Sequence, residues 1–176
     1  MGINVKALSK SCMLGVDILI FVILGTQDKG FDRMLKEIDE LIKDGIITSK
    51  VIVQAGCTDF KSTEMDIIDY LPMQKFNKYI EEADLVITHG GVGSILDAIK
   101  HHKKVIAVPR LEKYHEHSND HQIQIVEEFD RLGYIMDCGN LKRLGNKLIQ
   151  LEKFEPKEFK SNNANFIEKL ERYIGD

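Results

Sequence analysis

The chain has 176 residues, 43% of them hydrophobic and 30% charged, as expected for one globular domain and not for a disordered or fibrous protein. Its formal net charge of −4 argues against a nucleic-acid-binding surface, which is normally basic. Three widely spaced cysteines, Cys12, Cys57 and Cys138, form no CxxC pair, so we expect free thiols in a reducing compartment and no disulfide framework.

Residues 1–17 carry Lys6 and Lys10 and the start of an apolar run that extends to Leu24. This order resembles a signal peptide, but Asp17 interrupts the run and no small-residue cleavage site follows it. The run is also too short for a transmembrane helix. We therefore interpret residues 1–17 as an N-terminal extension or a start-site artefact. Residues 18–152 are expected to form the folded domain, and residues 153–176 a linker and a C-terminal helix.

Apolar runs alternate with amphipathic stretches through the first half of the chain. The run from Ile18 to Leu24 predicts a strand buried on both faces. Apolar residues at helical spacing then predict a helix from about Gly30 to Asp44. The remaining elements of this half are strands at 51–53 and 67–71, a polar loop at 58–66, and a short helix at 76–82. Pro72 is expected to end the second of these strands, because proline cannot donate a ladder hydrogen bond.

The second half of the chain repeats this alternation. We predict strands at 85–87, 105–108 and 134–136, helices at 95–101, 117–132, 141–151 and 165–173, and a polar, histidine-rich loop at 111–120. Strands that alternate with helices imply βαβ units, so the predicted fold class is α/β, a Rossmann-like parallel sheet with flanking helices. Ligands of such sheets bind outside the carboxyl ends of the strands, where the turns at 25–27, 89–94 and 109–122 are expected to lie.

The most informative turn is His89-Gly90-Gly91-Val92-Gly93-Ser94, between a buried strand and a helix. Its glycines lack the Cβ atoms that would hold a ligand away from the backbone. Unpaired N–H groups and the dipole of the following helix attract phosphate, so we interpret the segment as a phosphate-binding turn, with a ligand-free tight turn as the alternative. The sequence contains no G-x-x-x-x-G-K-[ST] motif, and the turn lacks the third glycine of the dinucleotide fingerprint.

Several motifs, taken in order, resemble those of glycosyltransferase family 28 C-terminal domains. The matching segments are Tyr70-x-Pro72, Ala83 to Ser94, Asp97, Val108-Pro109-Arg110 and Asn119-Asp120-His121-Gln122. The chain is especially similar to small single-domain members that act with a separate partner. These are the cytosolic subunit of the two-component UDP-N-acetylglucosamine transferase acting on dolichol-linked sugar, and PssE-like exopolysaccharide proteins. The resemblance implies a single nucleotide-sugar-binding domain of the GT-B C-terminal type.

The family pattern implies a role for each matching residue. The diphosphate of the donor would be held by His89, Gly90, Gly91, Val92, Gly93 and Ser94, the ribose by Asp97, and the uracil by Leu71, Met73 and Phe76. The transferred sugar would be held by Asp120, His121 and Gln122, and the cleft would be faced by Gly25, Thr26 and Arg110. Relatives usually carry glutamate where this chain has the shorter Asp97. The general base is left unassigned, with His89 as a candidate.

By this resemblance the chain is a donor-binding and catalytic subunit of a two-component inverting glycosyltransferase. It would move a hexose or N-acetylhexosamine from a UDP-sugar to a lipid-linked acceptor in polysaccharide or glycolipid synthesis. The expected partner is a membrane-anchored, acceptor-binding subunit that keeps the protein at the cytoplasmic face of the membrane. A homo-oligomer is expected in isolation.

No cofactor and no metal are expected. The N-terminus of a helix can stabilise the leaving diphosphate without a metal. His115, His117 and His121 cluster in the sequence, but they lack the H-E-x-x-H spacing and the further ligands of a zinc site.

Two other functions fit the same residues. A non-catalytic enhancer would bind the partner and support its activity, although such a scaffold need not keep Ser94, Asp120 and Gln122. A UDP-sugar epimerase of the same GT-B type normally carries both halves of the enzyme in one chain, and 176 residues are too few for that.

Overall fold

The computed structural model describes residues 18–160, which form a six-stranded sheet with helices on both faces. The strands are β1 Leu19–Ile23, β2 Lys50–Gln54, β3 Asp66–Ile68, β4 Leu85–His89, β5 Lys104–Val108 and β6 Met136–Asp137. Their order across the sheet is β3-β2-β1-β4-β5-β6, and every neighbouring pair in this sheet is parallel. The predicted α/β class with a parallel sheet is therefore confirmed.

The helices of this region divide between the two faces of the sheet. They are α1 Asp32–Lys43, α2 Met73–Glu82, α3 Val92–Lys100, α4 His121–Arg131 and α5 Leu144–Leu151. Because side chains of a strand alternate between faces, β1 contributes Ile20 and Val22 to the core under α1 and α5. Phe21 and Ile23 point the other way, into the core under α2, α3 and α4. Fully burying such a side chain contributes about 1.5–3 kcal/mol, so both cores support a rigid sheet.

The strand order reverses at β1, which pairs with β2 on one side and with β4 on the other. The chain leaves β1 toward α1 on one face and leaves β4 toward α3 on the opposite face. The turns that follow β1 and β4 therefore diverge and leave a crevice between them, which is where open parallel sheets bind ligands.

The strands agree with the prediction at the centre of the sheet and differ at its edges. β1, β2, β4 and β5 begin and end within two residues of the predicted limits. β3 is shorter than predicted, because the N–H of Leu71 bonds the side chain of Gln54 and not a strand. The last strand starts at Met136 and not at Tyr134, because the N–H of Tyr134 bonds the Phe129 carbonyl at the end of α4.

The helices α2, α3 and α4 start three or four residues away from the predicted positions. α2 starts three residues earlier, at Met73, with Pro72 as its N-cap, a position that needs no intrahelical N–H donor. α3 starts at Val92, so the glycine turn is itself part of the helix. α4 starts four residues later, at His121, because the preceding loop forms a short 3-10 helix, Glu112–Tyr114, and further turns.

The last predicted helix of the domain is a 3-10 turn at Leu141–Arg143 that continues into α5. Beyond α5, Phe154 packs against one core and Phe159 against the other. The predicted extension at 1–17 and helix at 165–173 lie outside the described residues. No helix within residues 18–160 is long and apolar enough to cross a membrane.

Candidate functional site

A cavity of about 410 Å³ opens at the carboxyl edge of the sheet, where β1 and β4 diverge. The predicted site residues that line it are Gly25, Thr26, Leu71, Met73, Phe76, His89, Gly91, Gly93, Ser94 and Asp97. Its other lining residues are Ile23, Gln27, Gln54 and Tyr70. The structure thus brings residues predicted for the diphosphate, the ribose and the uracil to one cavity, although they come from separate segments of the chain.

The imidazole of His89 lies against two glycines. A Cβ added to Gly25 would lie 2.8 Å from His89 Cε1, and one added to Gly91 would lie 2.2 Å from His89 Nε2. Gly25 also has a φ of +82°, a conformation that residues with side chains rarely adopt. The packing of the protein itself therefore requires glycine at both positions.

The other two glycines of the turn differ in their surroundings. A Cβ on Gly90 would lie 2.8 Å from Gln122 Cβ and 2.9 Å from Val126 Cγ2, so packing against α4 requires this glycine. A Cβ on Gly93 would meet no atom of the described residues within 4 Å. Glycine inside a helix costs about 1 kcal/mol relative to alanine, and no neighbour explains that cost at Gly93. The free space beside Gly93 is on the wall of the cavity, where a ligand would use it.

The first turn of α3 supplies hydrogen-bond donors to this cavity. Its N-cap is Gly91, and no side chain of the described region caps it. By helix geometry the N–H groups of Val92, Gly93 and Ser94 have no intrahelical acceptor, and the positive end of the helix dipole lies beside them. Asp97 follows one turn later on the same wall of the cavity. This arrangement suits an anion next to a hydroxyl-bearing group.

His89 is buried at the end of β4 and is uncharged at neutral pH. Burial lowers its pKa to about 4, and the charge of Arg110 acts in the same direction, while a hydrogen bond to the Ile23 backbone opposes the shift. A neutral imidazole donates from one nitrogen and accepts at the other. The Ile23 backbone takes the one N–H of this neutral ring, so His89 brings no positive charge to the cavity and is a weak general base.

Apolar side chains form another part of the cavity wall. Phe76, in the first turns of α2, packs edge-on against Phe21 with the ring centroids 5.6 Å apart. Leu71 is half-buried and Met73 is 71% exposed, so both offer apolar surface at the opening. The buried Gln54 accepts a hydrogen bond from the Leu71 N–H at 3.2 Å. An apolar surface beside a fixed amide group suits a flat heteroaromatic ring.

Sequence reasoning assigned no role to four lining residues. Ile23 and Gln54 end β1 and β2, so the rule that ligands bind at the carboxyl ends of strands could have indicated them. Tyr70 stands in a matching motif, and its hydroxyl lies 3.0 Å from Cys57 Sγ, a contact that raises the pKa of Tyr70. Gln27 belongs to the turn at 25–27 that was expected at this edge of the sheet, but it was given no role of its own.

The residues predicted to hold the transferred sugar, Asp120, His121 and Gln122, lie at the start of α4 and do not line the cavity. Gln122 is only 3% exposed, and its Oε1 accepts hydrogen bonds from the N–H groups of Gly90 at 3.1 Å and Arg110 at 3.0 Å. Asp120 is exposed and His121 partly exposed. Gln122 therefore links the turns after β4 and β5 by hydrogen bonds, and it holds the start of α4 beside the glycine turn.

Arg110 does not face the cleft, contrary to the prediction. Its side chain is 1% exposed, and its guanidinium donates hydrogen bonds to backbone carbonyls inside the protein. The sequence could not show this, because a residue that follows a buried strand and Pro109 can point either toward the ligand or beneath it.

Two histidine rings lie in contact near this site. The rings of His117 and His121 lie with their centroids 4.5 Å apart, and burial, together with the charge of His117, lowers the pKa of His121. Within residues 18–160 no three His, Cys, Asp or Glu side chains are grouped as metal ligands.

Comparison with known sequences identifies relatives of this chain. The family model for the glycosyltransferase family 28 C-terminal domain matches residues 19–174. The chain is 33% identical over 79 residues to the UDP-N-acetylglucosamine transferase subunit ALG13 of Candida albicans, covering 45% of this chain and 26% of that protein. It is 28% identical over 146 residues to the subunit of the same name from Candida glabrata, covering 77% of this chain and 64% of that protein. The chain thus spans less than two thirds of the length of either relative.

Solved structures share the fold. The crystal structure of the glycotransferase of kitacinnamycin matches with a TM-score of 0.61 and 18% identity, over 92% of this chain and 40% of that one. The solution structure of ALG13 matches with a TM-score of 0.55 and 20% identity, over 88% of this chain and 94% of that one. Since the family model spans most of its length, the chain belongs to the glycosyltransferase family 28 C-terminal domain family.

Proposed function

We propose that this chain binds the UDP-sugar donor of a two-component glycosyltransferase and is its catalytic subunit. The observation that carries the proposal is the cavity between β1 and β4, which combines apolar surface, Asp97 and the uncapped N-terminus of α3. These surfaces suit the three parts of UDP. The apolar surface suits the uracil ring, the carboxylate suits the ribose hydroxyls, and the N–H groups suit the diphosphate.

The side chains around the glycine turn would complete the donor site. Ser94 would donate a hydrogen bond to the diphosphate, while the neutral His89, whose one N–H bonds the Ile23 backbone, would hold the glycine turn in position. Asp120 and His121 would contact the transferred sugar, because Gln122 holds the start of α4 next to Gly90 in the glycine turn. The sugar itself would then lie outside the cavity that holds the nucleotide.

The reaction would break the bond between the anomeric carbon and the diphosphate oxygen, so negative charge would develop on UDP as it leaves. The N–H groups at the start of α3 are already in place and would stabilise that negative charge. One such donor lowers the activation free energy by about 3 kcal/mol in comparable sites. We therefore propose that no metal cofactor is needed. Inversion also requires a base that removes the proton of the acceptor hydroxyl. With a pKa of about 4, His89 suits this role poorly, so we assign the base to the partner.

Relatives that are named as subunits of a UDP-N-acetylglucosamine transferase support a protein that works in a complex. We propose a membrane-anchored, acceptor-binding partner that brings a lipid-linked sugar acceptor to the cytoplasmic face of the membrane. Tyr70 and Met73 are exposed at the cavity and Tyr114 on the loop before α4. Large exposed apolar groups of this kind suit a surface that a partner covers.

Calorimetric titration with UDP and UDP-N-acetylglucosamine tests donor binding. We expect dissociation constants of about 1 μM to 1 mM, the usual range of enzyme substrates. Ser94→Ala and Asp97→Ala should each weaken UDP binding, while Lys36→Ala, at an exposed position of α1, should not. Absence of UDP binding by the folded chain, both alone and with its partner, would refute the proposal.

The catalytic role needs a separate test, in the complex with the partner. If this chain is catalytic, Ser94→Ala and Asp120→Ala should reduce sugar transfer while co-purification of the two subunits is unchanged. Full transfer by an intact complex that carries both substitutions would show that this chain is an enhancer and that the donor binds elsewhere.

A further inference from the structure

Arg110 lies beneath the carboxyl edge of the sheet with its charge directed at backbone oxygens. The guanidinium donates hydrogen bonds to four carbonyls, those of Leu24 at 2.6 Å, Lys29 at 2.8 Å, Glu116 at 3.1 Å and Gly30 at 3.2 Å. The side chain is 1% exposed, and its Nε is buried without a partner in the described region. Carbonyls satisfy donors but cancel no formal charge, so Arg110 keeps its positive charge inside the protein.

The buried carboxylate nearest in this network is already bound to another arginine. Glu116 is 4% exposed, and its two oxygens accept from Arg33 Nε and Nη2, at 2.8 Å each. Asp28 also attracts Arg110, but it is exposed, and water and salt screen exposed charges. Two guanidinium groups and one carboxylate leave the cluster of Arg33, Arg110 and Glu116 with a formal charge of +1.

This cluster lies directly behind the turns of the donor site. Arg110 bonds the carbonyl of Leu24, and the next residue, Gly25, packs against His89. The N–H of Arg110 shares Gln122 Oε1 with the N–H of Gly90. Arg110 is therefore linked through one or two residues to the turns after both β1 and β4.

We propose that Arg110 is a positioning residue that acts on the donor diphosphate from beneath the glycine turn, without touching it. It holds the turns after β1 and β4, and the net charge of its cluster gives the site a fixed positive potential. The inference rests on the proposed function, because it requires a diphosphate in the cavity. Charges interact about four times as strongly at an effective dielectric of 20 as in water, so a buried cation acts on an anion it does not contact. Because these charges are in place before the reaction starts, no protein groups need to reorient as negative charge develops on the diphosphate.

A purely structural arginine would respond differently to the choice of substitution. If Arg110 only holds the turns, Arg110→Lys, which loses the guanidinium fork, should weaken UDP binding as much as Arg110→Gln, and Glu116→Gln should not strengthen it. If its charge acts on the diphosphate, UDP should respond and uridine, which has no phosphate, should not.

The experiment compares UDP and uridine on the 176-residue chain and its folded variants, by calorimetry for UDP and NMR shift titration for uridine. Arg110→Gln lowers the charge of the cluster to zero, and Arg110→Lys keeps the charge but loses the guanidinium fork. Glu116→Gln keeps the size of the side chain, removes one acceptor from Arg33 or Leu111, and raises the charge of the cluster to +2, so it should strengthen UDP binding. If Arg110→Gln fails to fold, Arg110→Lys and Glu116→Gln carry the test. Lys36→Gln removes an exposed positive charge from α1 and is the control.

We expect Arg110→Gln to weaken UDP binding at least about tenfold and Glu116→Gln to strengthen it about threefold, with uridine within about twofold of wild type in both. Arg110→Lys should retain more UDP affinity than Arg110→Gln. Parallel changes for the two ligands, or weaker UDP binding by folded Glu116→Gln, would overturn the inference. Failure of the wild type to bind UDP would overturn the proposed function, and this inference with it.

Discussion

The imidazole of His89 lies against Gly91, so closely that a Cβ added to Gly91 would come within 2.2 Å of His89 Nε2. Gly25 approaches the same two ring atoms, and a Cβ added there would lie 2.8 Å from His89 Cε1 and from Nε2. The ring can occupy this position only because neither glycine has a side chain. A single buried side chain therefore sets the spacing between the turn after β1 and the first turn of α3.

This relationship predicts that Gly91→Ala destabilises the protein. We expect the free energy of unfolding to fall by about 1–3 kcal/mol, as is usual when a filled site is overpacked. Urea denaturation followed by circular dichroism measures the change. In the double variant His89→Ala with Gly91→Ala the ring is absent, so the second substitution should cost much less there. An equal cost in both backgrounds would show that His89 is not the obstacle.

Gly93 should respond in the opposite way. A Cβ has free space there, so Gly93→Ala should raise the free energy of unfolding by up to about 1 kcal/mol. The same methyl group would enter the space that we assign to the diphosphate, and UDP affinity should fall at least about tenfold, or about 1.4 kcal/mol. Gly145→Ala, in the first turn of α5 and away from the cavity, is the control and should leave UDP affinity unchanged. Undiminished UDP binding by Gly93→Ala would contradict the assignment.

The burial of His89 makes stability depend on pH. Its pKa is about 4 in the folded protein and 6.5 in the unfolded chain, so the unfolded state binds more protons between these values. The free energy of unfolding should therefore fall as the pH decreases from 6.5 to about 4, by about 3 kcal/mol from this group. The lowered pKa of the partly exposed His121 acts in the same direction.

Urea denaturation over this pH range measures the effect of His89. The variant His89→Gln should lose part of the dependence below pH 6.5, while its slope above pH 7 should match that of wild type. Identical slopes for both proteins between pH 6.5 and 4 would contradict a neutral, buried His89.

Thiol chemistry offers a further prediction. Cys57 is exposed beside Tyr70 at the cavity, whereas Cys138 is buried with its pKa raised to about 12. In a Cys12→Ser background, a maleimide should modify Cys57 and leave Cys138 unmodified in the native state. Saturating UDP should slow the modification of Cys57, because Tyr70 lines the proposed donor site. Peptide mass spectrometry measures the modification of each cysteine. An unchanged rate of Cys57 modification in the presence of UDP would argue that the nucleotide lies away from Tyr70.

The fold was predictable where local pattern and tertiary structure agree. β1, β4 and β5 each contain an uninterrupted apolar run of at least three residues because they are buried on both faces, and such runs are visible in the sequence. The edges were less predictable, since β3 and β6 have only three and two residues, and their ends depend on bonds to Gln54 and Phe129.

The site was predictable to the extent that its residues belong to motifs. Four residues of the glycine turn line the same cavity as three of the residues predicted for the uracil, namely His89, Gly91, Gly93 and Ser94 with Leu71, Met73 and Phe76, whereas Gly90 and Val92 do not line it. Glycine spacing alone could not show that Gly90 and Gly91 serve internal packing while Gly93 leaves free space. Nor could it show that Arg110 and Gln122 point inward, because the direction of a side chain after a strand depends on three-dimensional neighbours that the sequence does not reveal.

The most direct measurement of the central claim is a titration of UDP into isotopically labelled protein, followed residue by residue by NMR. We expect the amide signals of Gly91, Gly93 and Ser94 to shift together with those of Leu71 and Phe76, with one dissociation constant. A second, larger cavity of about 750 Å³ lies at the β3 edge, between Thr58 and Tyr79, and serves as an internal reference. Shifts confined to that region, or no shifts at saturating UDP, would contradict the assignment of the cavity between β1 and β4 as the donor site.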